Sequence, residues 1–244
     1  MRQVSDSQKF WDGRILDWES GRYDNRRTLS IGPGEFLASS FSEPTRYRQR
    51  LSLELLAPFV TDRSVLELGC GTGRLAQRLI DAGSRRYLGI DHSPVAIANA
   101  RRRYTDLAAA RPIEFKVSPA SKMSSAGFDV IFSLGVLDWL SDDELSELFR
   151  NQESRDFLHS FSERRHNVLQ LGHRLCRAVD GVLRPDSVRP RYMTAEHLIA
   201  LMPTSNRQQI VVYRDARLRF TTFLSSLPLR NGTFLPSSSA SDSM

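Results

Sequence analysis

The stretch that most constrains the fold of this chain is residues 65–73, where an apolar run leads directly into three glycines separated by single residues. Val65, Leu66 and Leu68 suit a short buried strand, and glycines allow a tight turn that a ligand can approach closely. A helix is predicted over residues 74–80, because apolar residues recur four apart there. A strand, a glycine turn and a helix in this order predict a nucleotide-binding turn.

A second strand and an acidic residue follow at the distance that such a fold requires. Residues 87–91 form a mostly apolar segment that ends at Asp91, about 20 residues beyond the first glycines. A carboxylate at this strand tip is expected to hold ribose hydroxyls. Ser93 suits a helix N-cap and Pro94 the first helical position, which leaves His92 in the turn, placed to lie against a base.

Three segments together resemble the motifs of a known family. Residues 67–73, 89–91 and 128–137 are similar to the first, second and fourth motifs of the class I S-adenosylmethionine-dependent methyltransferases, and the resemblance covers about residues 46–163. It implies an α/β fold with a doubly wound, Rossmann-like, mostly parallel seven-stranded sheet and a C-terminal antiparallel hairpin. It also implies S-adenosylmethionine as the cofactor and methyl transfer as the reaction.

The resemblance also assigns roles to individual residues. In the family, the acid before the glycines and the turn itself hold the methionine portion, the acid ending the second strand holds the ribose, and the next residue flanks the adenine. An arginine, here Arg48 or Arg50, often holds the methionine carboxylate. The predicted cofactor-binding residues are therefore Glu67, Gly69, Cys70, Gly71, Gly73, Asp91, His92, Ser118, Leu134 and Arg48.

The sequence departs from the family pattern in two loops. The third motif usually carries an acid beside the adenine amino group, whereas residues 115–117 run into Ser118 here. Ser118 or backbone groups would then read the adenine. The Pro-Gly-Gly turn before the fifth strand is replaced by residues 150–154.

The glycine spacing separates this interpretation from its alternatives, an NAD site and a turn without a ligand. The dinucleotide fingerprint places two residues between its second and third glycines. Here Gly73 falls one position early. The pattern therefore favours a methyl-donor site.

Methyl transfer to a hydroxyl also needs a base that removes the proton. Asp138 follows the fourth strand, and His159 and Glu163 lie on or just after the fifth. His159 is the preferred candidate because its ordinary pKa of about 6.5 suits proton removal at neutral pH. The alternatives are a structural role for His159, a solvated loop acid for Asp138 and a helix cap for Glu163. By resemblance alone, Tyr23 and Tyr192 are expected to reach over the pocket.

The chain is predicted to divide into a helical arm that packs as a lid (residues 1–42), the methyltransferase domain (43–228) and a disordered serine-rich tail (229–244). Within the domain we expect helices over residues 46–59 and 168–179, helices capped by Ser141 and Thr194, a fifth strand over 157–161, and two closing strands around Asp215.

Composition limits the classes of protein to which the chain can belong. Its 244 residues, 40% of them hydrophobic, suit one sizeable α/β domain. The net charge of +6 comes mostly from scattered arginines, so nucleic-acid binding is compatible with the charge but not favoured. Cys70 and Cys176 form neither a metal cluster nor a disulfide framework. No metal and no membrane span are expected, and a cytoplasmic location is predicted.

The substrate class follows from motifs that are absent. Methyltransferases that act on amino groups commonly carry an Asn- or Asp-Pro-Pro-aromatic motif after the fourth strand, where this chain has residues 133–136, Ser-Leu-Gly-Val. The region from the fifth strand to about residue 179 resembles small-molecule methyltransferases. We therefore predict O-methylation of a small-molecule metabolite by in-line transfer. An RNA methyltransferase and a non-catalytic S-adenosylmethionine-binding protein are the alternatives, and the sequence does not indicate an oligomeric state.

Overall fold

The computed structural model describes residues 6–23, 33–108, 111–154, 156–165, 190–207, 209–229 and 232–234. In these ranges a single mixed sheet is flanked by helices. The helices are α1 (Asp6–Asp12), α2 (Ile15–Tyr23), α3 (Pro33–Leu56), α4 (Ala76–Asp81), α5 (Pro94–Arg103), α6 (Thr105–Ala108), α7 (Asp142–Arg150) and α8 (Ala195–Leu201). The strands are β1 (Ser64–Leu68), β2 (Arg86–Asp91), β3 (Ile113–Val117), β4 (Val130–Leu134), β5 (Asp156–Ser162), β6 (Val211–Arg214), β7 (Thr221–Ser225) and β8 (Thr233–Phe234).

The strand order is β3-β2-β1-β4-β5-β7-β6-β8. Strands β1 to β5 pair in parallel, and β7, β6 and β8 join antiparallel to their neighbours. This confirms the predicted doubly wound sheet with a C-terminal antiparallel hairpin. The described sheet has one strand more than the seven predicted, because the two-residue β8 pairs with Val211 and Val212.

The centre of the sheet positions the candidate site. Strand β1 lies between β2 and β4, with Leu66 opposite both Leu88 and Ile131. After β1 the chain forms β2 and β3 on one side of it and then crosses to β4 and β5 on the other side. In such sheets ligands bind where this reversal occurs, in the crevice beyond the carboxyl ends of the strands.

Helices cover both faces of the sheet, so every residue of β1 is buried. Val65 packs with Tyr87 and Phe132 in one core layer, and Leu66 and Leu68 pack in the other. Because side chains alternate along a strand, Glu67 lies on the same face as Val65. The sheet thus carries a carboxylate at the end of an otherwise apolar row.

The structure confirms two of the predicted helix caps. Ser141 forms a capping box with Glu144, and Thr194 caps α8. The predicted helix over residues 46–59 begins earlier, since α3 starts at Pro33, and it ends in a 3-10 turn. The expected boundary between residues 42 and 43 falls inside α3, and the domain division stays a prediction.

Two predicted features lie outside the described residues, namely the helix over residues 168–179, which includes Cys176, and most of the tail. Among the helices that the structure describes, none has the combination of length and apolar character needed to cross a bilayer.

Candidate functional site

The glycine turn after β1 has backbone conformations that require glycine. Gly69, Gly71 and Gly73 have φ angles of 68°, 53° and 74°, a region that other residues rarely adopt. Space is also restricted, because a Cβ on Gly69 would lie 2.2 Å from Cγ2 of Val136. The turn is therefore held tightly against the loop that follows β4.

The amide groups of this turn already donate to other groups of the protein. The Cys70 N–H donates to the Ile90 carbonyl at 2.9 Å. The next two amides donate to carboxylates: Gly71 to Oδ2 of Asp91 at 3.0 Å and Thr72 to Oε1 of Glu19 at 2.9 Å. The turn thus presents carboxylates, rather than free N–H groups, to its surroundings.

Asp91 holds two elements together at the tip of β2. Its Oδ1 accepts the N–H of Ser93 at 2.9 Å, so the carboxylate bridges the glycine turn and the start of α5. Burial raises the pKa of Asp91 above its ordinary value, although the Ser93 and Gly71 amides act in the opposite direction. Each carboxylate oxygen keeps a lone pair for a ligand hydroxyl, which agrees with the predicted position of a ribose.

Glu67 is buried behind the turn, with 4% of its surface exposed. The Tyr87 hydroxyl donates to its Oε2. Burial, together with the nearby Glu19 and Asp91 carboxylates, raises the pKa of Glu67 to about 8, although the hydrogen bond from Tyr87 acts in the opposite direction. Burial and the same three carboxylates raise the pKa of the Cys70 thiol well above its ordinary value, so Cys70 packs in the turn as a neutral group.

Sequence reasoning missed Glu19 and Tyr87. Tyr87 could have been found from the sequence, since the two-residue alternation of a strand places it on the same face as Gly89 and Asp91. In the structure its hydroxyl lies close over Gly89, where a Cβ would come within 2.8 Å of both this hydroxyl and the Cys70 sulfur. Glu19 gave no local signal, because it meets Thr72 from 53 positions away in sequence.

The tip of β4 forms the other side of the crevice. The Arg48 guanidinium lies over Gly135, where a Cβ would come within 2.8 Å of Nη1. Of the two arginines considered from the sequence, Arg50 instead points outwards, exposed and 4.0 Å from Glu54. The structure therefore brings Arg48, and not Arg50, to the crevice.

The polar atoms that are buried without a hydrogen-bond partner in the described part of the chain include Nε of Arg48 and Nε2 of His92, both at this edge of the sheet. Unsatisfied buried polar groups are uncommon in native proteins and call for an explanation. A polar ligand that spans from the β4 tip to the β2 tip would supply both partners. Ser118, at the β3 tip, donates its N–H to the Asp91 carbonyl at 2.9 Å, and Leu134 is half-buried at the end of β4.

His159 does not lie at the site, in contrast to the prediction. It is fully buried, and its ring stacks on Phe157 with centroids 5.3 Å apart. Ser133 Oγ lies 2.9 Å from Nδ1 and Gln152 Oε1 lies 3.0 Å from Nε2. Burial lowers the pKa of His159 to about 3. It is a neutral structural residue, and its placement contradicts the role of catalytic base.

The other two candidate bases differ in how their carboxylates are engaged. Burial raises the pKa of Glu163, but hydrogen bonds from Arg214, Thr222 and Arg165 outweigh it and lower the net pKa. Glu163 is therefore an ion-paired structural group.

Asp138 follows β4 and accepts hydrogen bonds from the N–H and hydroxyl of Ser162 at 2.6 and 2.7 Å. Burial raises its pKa to about 6, against these hydrogen bonds and the positive charge of Arg48. Of the three predicted bases, only Asp138 combines a position at the strand tips with a pKa near neutrality. Tyr192 lies within the described residues, but the side chain of Tyr23 does not.

The geometry favours a ligand with positive charge. Pyrophosphate-binding turns use free amides and a helix N-terminus to hold an anion, whereas the amides of Gly71 and Thr72 donate to carboxylates of the protein here. The Glu19 and Asp91 carboxylates are close enough to raise the pKa of Glu67, and Glu19 also raises the pKa of Asp91. Among the described residues, no group of His, Cys, Asp and Glu side chains is arranged to hold a metal ion.

Comparison with known proteins gives the class. A family model described as a methyltransferase domain matches residues 65–155, the segment that carries the glycine turn, Asp91 and β4. Together with the doubly wound sheet, this identifies a class I S-adenosylmethionine-dependent methyltransferase domain, and S-adenosylmethionine is the cofactor of that class.

Individual relatives cover the chain to different extents. It is 29% identical over 128 residues to a tRNA U34 carboxymethyltransferase of Methylococcus capsulatus, which is 51% of this chain and 36% of the relative. It is 38% identical over 76 residues to a ribosomal protein L11 methyltransferase of Desulfotalea psychrophila, 30% of this chain and 25% of the relative. The matches thus span about a third or less of these two relatives' lengths.

Among solved structures, a magnesium protoporphyrin IX methyltransferase from Synechocystis PCC 6803 with bound SAH is similar over 90% of this chain and 96% of that chain. The TM-score is 0.65 and the sequence identity 16%. This likeness shows that the two chains share a fold.

Proposed function

We propose that this chain binds S-adenosylmethionine at the glycine turn and transfers its methyl group to an oxygen of a small-molecule acceptor. The observation that carries the proposal is the charge around the turn. The Glu19 and Asp91 carboxylates would repel a pyrophosphate, whereas a sulfonium with an α-ammonium group meets opposite charge. The NAD alternative is therefore disfavoured by electrostatics as well as by glycine spacing.

Three residues have defined tasks in binding. Asp91 accepts the ribose hydroxyls through the lone pairs that Gly71 and Ser93 leave unused. Arg48 pairs with the methionine carboxylate through a guanidinium whose Nε is buried and without a partner. His92 satisfies its buried Nε2 on the adenine. S-adenosylmethionine, when bound, supplies a methyl group that the sulfonium makes electrophilic.

The protein then has to align the acceptor oxygen and take up its proton. Alignment alone supplies a large part of the rate enhancement in such transfers. We propose Asp138 as the base, because it follows β4 at the same edge of the sheet and its pKa of about 6 leaves it ionised at neutral pH. Each carboxylate oxygen of Asp138 accepts one hydrogen bond from Ser162, which fixes its orientation, and keeps a second lone pair that can accept a proton.

The choice of a small molecule as acceptor is supported by how much of each related protein the matches cover. The magnesium protoporphyrin enzyme, whose name specifies a small-molecule acceptor, matches this fold almost from end to end, whereas the match to the tRNA enzyme covers only 36% of that protein. RNA is the second candidate acceptor, because the tRNA enzyme is the relative matched over more of this chain than the L11 enzyme.

A labelled-donor assay tests the proposal. The purified protein is incubated with methyl-labelled S-adenosylmethionine and cell extract, with and without ribonuclease. We expect label in the low-molecular-mass fraction, unaffected by ribonuclease and by moderate salt. Label that ribonuclease removes, with transfer that falls steeply as salt rises, would instead support RNA as the acceptor. Binding of the donor without transfer to any fraction would support the non-catalytic alternative.

A further inference from the structure

Helices α1 and α2, residues 6–23, lie across the cofactor side of the sheet, and we refer to them as the strap. Glu19 of α2 is only 5% exposed. Its Oε1 accepts the N–H of Thr72, its Oε2 accepts the Thr72 hydroxyl, and Oε2 also lies 3.0 Å from Nε of Arg74. One strap carboxylate thus receives three hydrogen bonds from the glycine turn.

The position of this carboxylate depends on the glycine beneath it. A Cβ on Gly71 would lie 2.2 Å from Oε1 of Glu19 and 3.8 Å from Cδ1 of Ile15. The strap therefore rests directly on the backbone of the turn, in space that only a glycine leaves open.

Two further contacts fix the strap at the other strand tips. Asp12 accepts the hydroxyl proton of Ser93, the residue that also donates its amide to Asp91. Trp11 packs edge-on against Trp139, with ring centroids 5.1 Å apart, and Trp139 follows β4 beside Asp138. The strap consequently touches the turn, the ribose side and the acceptor side of the crevice.

We propose that the strap is a gate for cofactor exchange and that Glu19 is the latch that holds it closed; this inference rests on the proposed function of the turn. Glu19 is a buried carboxylate that accepts hydrogen bonds from Thr72 and Arg74, and it is costly to withdraw because opening breaks all three of these charge-assisted contacts together. Entry and exit of the cofactor then require the Glu19 contacts to break, while Asp91 and Arg48 set the affinity of the bound state.

The proposal is tested with Glu19→Ala and with Asp17→Ala as a matched control, since Asp17 is an exposed carboxylate on the same helix. Strap opening is measured without ligand as the rate of tryptic cleavage after Arg14, an exposed residue between α1 and α2. We expect cleavage roughly fivefold or more faster in Glu19→Ala than in wild type and Asp17→Ala, as loss of charge-assisted hydrogen bonds implies.

Cofactor exchange is measured by stopped-flow tryptophan fluorescence with S-adenosylhomocysteine, using the Trp11–Trp139 contact as reporter. Both association and dissociation should be roughly fivefold or more faster in Glu19→Ala, with a smaller change in Kd, and the ligand should slow cleavage after Arg14 in wild type. Rates equal to those of Asp17→Ala, or ligand that speeds the cleavage, would overturn the latch.

If Glu19→Ala does not fold, Glu19→Gln removes the charge but keeps an acceptor for the Thr72 amide. It should show the same changes at smaller size. A wild-type protein that fails to bind S-adenosylhomocysteine in calorimetry would count against the proposed function, whereas binding with unchanged rates and cleavage in both Glu19 variants would count against the latch alone.

Discussion

Replacing Glu67 with glutamine should stabilise the protein free of ligand, and increasingly so as the pH rises. Burial raises the pKa of Glu67 from 4.5 to about 8, so the folded state binds a proton that the unfolded state releases in this interval. A carboxyl whose folded pKa is raised contributes its full stability below the unfolded pKa, and that stability is lost as the pH rises towards the folded pKa. Glutamine has no such proton and keeps an acceptor for the Tyr87 hydroxyl.

The size of the effect follows from the two pKa values. Each unit corresponds to about 1.4 kcal/mol. Relative to a pH well below 4.5, ionisation of Glu67 then lowers the unfolding free energy of wild type by about 1 kcal/mol at about pH 5, about 3 kcal/mol at about pH 7 and about 4 kcal/mol at about pH 8. The difference in unfolding free energy between Glu67→Gln and wild type should therefore grow by about 3 kcal/mol over this range.

Denaturant unfolding at several pH values measures this difference. Glu114→Gln is the matched control, because Glu114 lies on β3 of the same sheet with a side chain 59% exposed. The dependence of its unfolding free energy on pH should stay parallel to that of wild type. A constant offset between Glu67→Gln and wild type would refute the reasoning, since it would mean that Glu67 ionises alike in both states.

Two further predictions concern the candidate bases. Asp138→Asn should lower kcat by about a hundredfold or more with little change in donor affinity. It should also abolish the fall in activity that wild type shows as the pH drops through about 6, and a mutant that keeps this acid limb would contradict the assignment. The control Asp143→Asn, at an exposed position of α7, should behave as wild type. His159→Ala should instead destabilise the fold by about 2 to 4 kcal/mol in denaturant unfolding, because it opens a cavity and leaves Ser133 and Gln152 unpaired. Its activity per folded molecule should keep the wild-type pH profile, and loss of the acid limb in His159→Ala would restore His159 as the base.

The glycine turn and the helix caps could be predicted because their causes are local. Three glycines at fixed spacing allow few conformations, and the capping box of Ser141 with Glu144 involves two residues three apart. Asp91 was predictable for a related reason, since parallel strands end at a common edge of the sheet and the length of the crossover fixes its position.

The error at His159 came from the weight given to its ordinary pKa. On a strand, residues two apart share a face, so Phe157 and Phe161 place His159 among apolar side chains. The flanking sequence carried this information. Burial then decides the ionisation state of the ring, and the ordinary pKa does not apply.

Other features depend on contacts that no local pattern specifies. Glu19 reaches Thr72 only because the strap folds back across the sheet, and β8 forms only because two residues near the C-terminus pair with β6. The choice between Arg48 and Arg50 likewise depends on the rotation of α3, which its packing against the rest of the protein sets.

The most direct test of the central claim, that a carboxylate-lined turn binds a cationic sulfur nucleoside, is a calorimetric titration of wild type and Asp91→Ala with S-adenosylmethionine and with NAD. We predict that wild type binds S-adenosylmethionine, that Asp91→Ala binds it at least about tenfold more weakly because a charge-assisted contact is lost, and that neither protein binds NAD. Binding of NAD by wild type together with no heat from S-adenosylmethionine would contradict the account.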